Sequence, residues 1–283
     1  VLEFYIMFAG TVIPSTLKGI NSAEGSLKLG KMDSPARHAR PLAGVAGRST
    51  AVGMTSKNVL DKWILAKLQI LIKEVTAGME AYKLAEASRP IADFVTELSQ
   101  WYVRRSRDRF KGADEKEKSQ ALATLHFTLL TLSKLMAPFT PFIAEKIYQS
   151  VVRGSQFADA KESVHLEDWP EVNKKLMNDE IIKMMSDARK IVEMGLAARA
   201  EAGIKVRQPL GELRITNYEL SDDLKQIIAD ELNVKSVKIV KLDGDKKIEL
   251  DTVITDELKK EGLLREIIRT INQIRKEQKL TIA

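Results

Sequence analysis

The sequence predicts a mainly α protein: an antiparallel helical bundle followed by a small, truncated α+β domain. Three observations predict it. Between residue 58 and about residue 153, four stretches place apolar side chains at three- and four-residue spacing, and breaking residues separate them. A fifth, longer amphipathic stretch runs on to Gly203. Beyond about residue 211 the period shortens, in segments rich in Val and Ile.

In NVLDKWILAKLQILIKEVT, Leu60, Ile64, Leu68, Leu71, Ile72 and Val75 form one stripe of a first helix. A second is expected to run to about Phe110 with Ile91, Phe94, Val95, Leu98 and Tyr102 on one face. Its Pro90 suits a first turn or an early kink. The third places Leu122, Leu125, Leu129, Leu132 and Met136 at the 3-4-3-4 spacing of a bundle seam, and Pro138 ends it. Thr140 and Pro141 restart a fourth as N-cap and first residue. The loop SVHLEDWP (163–170) follows, with His165 and Trp169 expected to pack it down. NDEIIKMMSDARKIVEMGLAARAEAG then reads as one helix with Met184, Met185 and Met194 filling core. ELRITN, VKSVKIVK and KIELDTVI read as strands, the last two joined as a hairpin across the Asp-Gly of LDGDK. A helix capped by Ser221 separates the first two strands, and a final helix covers roughly 256–279.

The expected organisation is therefore the end of a preceding helix at 1–13, a linker or insertion at 14–57 and a bundle at 58–172. A connecting long helix and loop occupy 173–210, and the α+β domain 211–283. The apolar run FYIMFAGTVI (4–13) is too short to span a membrane and lacks the basic flank of a signal peptide. Residues 14–57 hold six of the fifteen glycines and three of the eight prolines, a linker composition. Both ends of the chain read as cut.

Composition narrows the chemistry. With no cysteine and three scattered histidines (His38, His126, His165), thiolate sites are excluded and a histidine metal site is not expected. A reducing, cytoplasmic setting fits. The net charge is +6, but seven Lys/Arg against Glu24 and Asp33 between residues 14 and 58 leave the rest almost balanced. Any nucleic-acid surface on the folded part must be a local patch. No phosphate loop, paired carboxylates or nucleophile–base arrangement is present, so no catalytic residue is expected.

The patch that stands out is WYVRRSRDRF (101–110). As a helix it sets Arg105 against Arg109 and Arg104 against Arg107, like-charge pairs that each cost a few tenths of a kcal/mol. Arginine forks bind phosphates bidentately, and unpaired bases stack on aromatic or guanidinium planes. Trp101, Arg104, Arg105, Arg107, Arg109 and Lys111 are therefore candidate RNA contacts. The bland reading is a solvated helix end with Trp101 tucked into the bundle. Lys205 and Arg207, on alternate positions of GIKVRQPL (203–210), are weaker candidates; an ordinary exposed loop is the alternative. His126 is expected at the bundle edge.

Taken together, these segments resemble one family. NVLDKWILAKLQILIKEVT, RPIADFVTELSQWYVRRSRDRF, LMAPFTPFIAEKIYQ, SVHLEDWP and ARAEAGIKVRQPL are similar to the C-terminal half of isoleucyl-tRNA synthetases, over roughly residues 58–283. The APFTPFIAE type of helix start is shared with valyl and leucyl relatives, whereas WYVRRSRDRF and KVRQPL are more specific to the isoleucyl branch. The resemblance implies an anticodon-binding bundle of the class I type, with the basic ridge facing the anticodon stem-loop of tRNA(Ile). It also implies a parent enzyme that uses ATP and Mg to attach isoleucine to tRNA, with catalytic and editing domains on the same polypeptide. The family's HIGH and KMSKS motifs have no counterpart here; KMDSP (31–35) lacks the second lysine. No cofactor is thus expected in this chain, nor activity from it alone. A portion of a valyl-tRNA synthetase and a free-standing helical RNA-binding or scaffold protein are the alternatives.

Overall fold

The computed structural model describes residues 56–153, 161–216, 218–241, 247–278 and 280. The run 4–13, the linker up to residue 55 and the LDGDK turn lie outside the described residues. The chain divides into two compact units, the first ending at Asp179 and the second beginning at Glu180. The long helix expected as a connector therefore falls in the second unit.

In the first unit, α1 (Val59–Glu80) starts at Asn58, whose Oδ1 accepts the Leu60 N–H at 2.9 Å. From Val59 to Ile72 most of its side chains are buried, so α1 is a central helix rather than a surface one. α2 (Leu84–Glu97) folds back on it. The two come close at Gly78, where a Cβ would lie 2.8 Å from that of Ala87. Tyr82, in the joint between them, takes the left-handed conformation at φ 57.

The second helix does not run unbroken to Phe110. It passes into a π-helical turn (Leu98–Val103), bends at Ser106 and resumes as the short α3 (Arg107–Lys111). A turn with i→i+5 bonding spreads more residues around each revolution. Leu98, Tyr102 and Val103 are thereby all buried, while Val95, expected on the inner face, is 37% exposed.

α4 (Glu115–Met136) begins at Asp114, whose Oδ1 accepts the Lys116 and Glu117 N–H groups at 2.9 and 3.2 Å. Leu122, Leu125, Leu129 and Leu132 are buried as expected, and so are Thr124, His126, Thr128, Thr131 and Ser133. Two of these interior hydroxyls bond to carbonyls of the same helix: Thr128 Oγ1 donates to the Thr124 carbonyl at 2.8 Å and Ser133 Oγ to the Leu130 carbonyl at 2.7 Å. α5 (Pro141–Arg153) packs on α4 around Ala137, Ala144, Tyr148 and Val164. The loop after it is pinned down. Trp169 Nε1 donates to Thr76 Oγ1 at 2.8 Å, and Glu167 accepts from Lys134 Nζ at 2.8 Å and from the Tyr148 hydroxyl at 2.5 Å. Trp169 thus holds the loop as expected, while His165 is exposed.

The second unit comprises α6 (Asp179–Glu201), β1 (Leu210–Ile215), α7 (Asp222–Leu232), β2 (Val234–Ile239), β3 (Ile248–Leu250) and α8 (Asp256–Glu277). The sheet order is β2-β1-β3. β1 pairs parallel with β2, Leu213 opposite Val237, and antiparallel with β3, Leu213 opposite Leu250. The expected β2–β3 hairpin is therefore not formed. β1 buries Leu210, Leu213 and Ile215, and it takes the centre so that both its edges are bonded. α6 meets α7 at Gly195, where a Cβ would come within 2.4 Å of Leu232 Cδ1. α8 buries only Leu258 and Gly262; Leu263, Leu264, Ile267, Ile268, Ile271 and Ile274 are all exposed.

His126 lies inside the bundle rather than at its edge, 3% exposed. Burial pushes its pKa down to about 4, against a backbone hydrogen bond with Val151 that acts in the opposite sense. The folded pKa is lower than the unfolded one, so the unfolded chain takes up the proton first. Stability should hold above pH 6.5 and fall by up to about 3 kcal/mol as pH drops toward 4. Urea unfolding of the wild type and His126→Gln across this range checks it: the variant should lose that part of the slope.

Candidate nucleic-acid interface

The basic segment is organised from inside by one carboxylate. Asp61, in the first turn of α1, has no solvent exposure. Ser56 Oγ donates to its Oδ2 at 2.6 Å and the Tyr102 hydroxyl to its Oδ1 at 2.8 Å. Arg109 closes the set with Nη1 on Oδ1 and Nη2 on Oδ2, both at 2.8 Å, while its Nε donates to Glu117 Oε2 at 3.1 Å. The fork-to-fork pair is the strongest geometry available to these groups. A buried carboxylate needs such saturation, because an unpaired charge there would be costly.

The electrostatics follow. Burial, with Asp61 adding to it, raises the Tyr102 hydroxyl well above the ordinary tyrosine range, so it stays a donor. Burial works against the Arg109 charge, but the hydrogen bonds and charge of Asp61 outweigh it and hold that guanidinium above its ordinary value. Phe110 stands edge-on to Tyr102, ring centroids 6.4 Å apart, and completes the apolar wall.

Arg109 is thus a correction to the sequence reading. Its guanidinium is taken up by Asp61 and Glu117 and its side chain is 15% exposed, so it is no part of an outward ridge. Arg104, Arg107 and Lys111 are exposed, and Trp101 and Arg105 are half-buried beside them. The π turn shapes this edge directly. The Arg104 N–H reaches back five residues to the Ser99 carbonyl, and Arg104 Nε donates to the Gln100 carbonyl at 2.8 Å. Four cations and an indole are brought together here on one short stretch. The arrangement can attract phosphates and offer a stacking plane; it contains no group placed for bond-making.

Lys205 and Arg207 belong to the second unit. Both are exposed, in a turn closed by the Gln208 N–H on the Lys205 carbonyl at 3.0 Å. Lys205 Nζ lies 3.9 Å from Glu266 and is 79% exposed, a weak surface pair. Beneath the turn sits Arg199, 1% exposed, a residue the sequence reading missed. Among the described residues no group of three or more metal-ligating side chains occurs, and no helix is long and apolar enough to cross a membrane. A recess of about 340 Å³ between α1 and α2 is lined by Glu74, Glu86, Asp93 and Glu97 against Lys67 and Arg89. That excess of acid does not suit an anion.

Comparison with known proteins fits this geometry. Residues 61–216 match the family described as the anticodon-binding domain of tRNA ligase, and the chain belongs to that family. Among individual relatives, it is 34% identical to the isoleucine–tRNA ligase of Clostridium tetani, over 81% of this chain and 30% of that protein. It is 47% identical to the Clostridium novyi enzyme of the same name, over 65% of this chain and 18% of that protein. For the Thermus thermophilus isoleucine–tRNA ligase the figures are 44%, 64% and 18%. The chain thus spans less than a third of these relatives' length. The resemblance expected from the sequence is the one these names bear out, and neither the valyl nor the free-standing alternative is favoured.

Replacing Asp61 with Ala should leave Arg109, Tyr102 and Ser56 facing an empty site and cost about 3–5 kcal/mol, the range for breaking one side of a buried pair. Chemical denaturation should show this loss, and the Asp61→Ala/Arg109→Met double variant should lose less than the sum of the singles.

Proposed function

We propose that this chain is the tRNA-recognising portion of an isoleucine–tRNA ligase, holding the anticodon stem-loop of tRNA(Ile) on the first unit. Arg104, Arg107 and Lys111 contact phosphates, Arg105 supplements them from its half-buried position, and Trp101 offers a face to an unpaired base. Lys205 and Arg207 add contacts from the second unit. These residues position RNA; none breaks or makes a bond. ATP and Mg belong to the catalytic domain of the full-length enzyme, and the editing of misacylated tRNA to its editing domain. The chain, lacking HIGH and KMSKS sequences, does not aminoacylate alone. A cytoplasmic setting accompanies this role.

The observation that carries the reading is a selective one. On a helix end where Asp61 draws one guanidinium inward, the other basic side chains are left at or near the surface around a partly open indole. The family membership supports it, since the relatives are isoleucine–tRNA ligases.

The test is titration of the purified chain with tRNA(Ile) and a non-cognate tRNA at several salt concentrations. Arg104→Ala with Arg107→Ala should weaken binding and lower the slope of log affinity against log salt by about 1.4–1.8, from two lost phosphate contacts. An unchanged slope overturns the assignment. Trp101→Ala should reduce affinity more than thermal stability.

A further inference from the structure

We propose that Arg199 is a positioning residue for RNA contact: it holds the 205–208 turn from beneath so that Lys205 and Arg207 are presented outward as a phosphate-binding pair. This rests on the assignment of Lys205 and Arg207 to tRNA and extends it to a residue that touches no RNA itself.

The geometry is specific. α6 ends at Gly203 with φ 67, where the Gly203 and Ile204 N–H groups bond back to the Ala200 and Arg199 carbonyls. The chain then enters the turn. Arg199 Nη1 donates to the Lys205 carbonyl at 3.1 Å and to the Gln208 carbonyl at 3.0 Å, the first and last residues of that turn. Its Nη2 donates to the Asn233 carbonyl at 3.0 Å, and Asn233 Nδ2 in turn donates to the Val206 carbonyl at 3.0 Å. Three of the four turn carbonyls are therefore held from one side. The Lys205 and Arg207 side chains are exposed.

Arg199 suits the task because its planar fork spans separated acceptors, which a lysine ammonium cannot do from one point. Its partners are all carbonyls. No carboxylate pairs with it among the described residues, and burial lowers its pKa with no acid acting in the opposite sense. The buried positive charge is thus left to add to the field of the turn, a direction that favours an anion outside.

The experiment compares Arg199→Lys, Lys205→Ala/Arg207→Ala and the triple variant for tRNA(Ile) affinity and salt slope, with trypsin nicking of the native chain after Lys205 and Arg207 as a separate readout. Lys205→Ala/Arg207→Ala should lower the slope by about 1.4–1.8. Arg199→Lys, which keeps every charge, should weaken binding in the same direction, and the triple variant should be little worse than Lys205→Ala/Arg207→Ala. Nicking at both sites should accelerate several-fold in Arg199→Lys. Wild-type affinity in Arg199→Lys beside a weakened Lys205→Ala/Arg207→Ala refutes the positioning role and leaves the RNA contact standing. No effect of Lys205→Ala/Arg207→Ala overturns the RNA contact itself, and with it this proposal. Should Arg199→Lys fail to fold, Asn233→Gly tests the same brace, because glycine accepts the φ of 50 at that position, keeps the carbonyl that Arg199 holds, and removes the side-chain bonds to Val206 and Arg265. A smaller loss of affinity supports the proposal and an unchanged affinity refutes it.

Discussion

The buried carboxylate of Asp61 is the constraint from which the first unit is arranged. It gathers donors from the approach to α1, from the π turn and from α3, and through Arg109 it reaches Glu117 on α4. A charge in that position cannot be left partly satisfied. The chain that would otherwise continue as a straight helix past Leu98 must therefore widen, bend at Ser106 and bring Arg109 back toward α1. The irregularity is the means by which the pair closes. Whatever the outer edge offers is set by that requirement.

Both units use guanidinium groups in two opposed ways. In the first, Arg109 faces a carboxylate inside while Arg104 and Arg107 face water. In the second, Arg199 faces carbonyls inside while Lys205 and Arg207 face water. An inward arginine fixes several backbone or side-chain acceptors at once, which lowers the freedom of the segment that carries the outward cations. Binding to a flexible polyanion is weakened by the ordering it imposes, so a surface ordered beforehand loses less.

Much of the helical architecture was legible, because amphipathic spacing is a direct record of one buried face: the Leu122–Leu132 seam, the Thr140–Pro141 restart and the Gly203 stop all stand where their residues indicate. What the spacing could not show was non-local. Strand pairing depends on which strand can satisfy both edges, and the Asp-Gly turn signal favoured a hairpin that burial of β1 overrides. The π turn adds a residue to the period after Leu98, so a straight helical wheel put Arg109 outward, while Val95, ahead of that turn, lies at the rim of the buried face of α2. A signal for the site was nevertheless present. Asp61 lies on the stripe with Ile64 and Leu68, and Arg199 on the buried face that includes Val192 and Gly195. A charged residue on an apolar stripe marks a paired interior group. The exposed cations Arg104, Arg107 and Lys111 were readable as a patch, but their separation from Arg109 needed three dimensions.

The uncovered aliphatic side of α8 has a calorimetric consequence. The heat capacity gained on unfolding reflects the apolar area that melting newly exposes to water. Six leucine and isoleucine side chains on α8 are already hydrated in the native fold. Melting that helix adds little to the increment, whereas α1 and α4 surrender wide buried apolar faces. Residue for residue, α8 therefore contributes less than the buried helices to the curvature of stability with temperature.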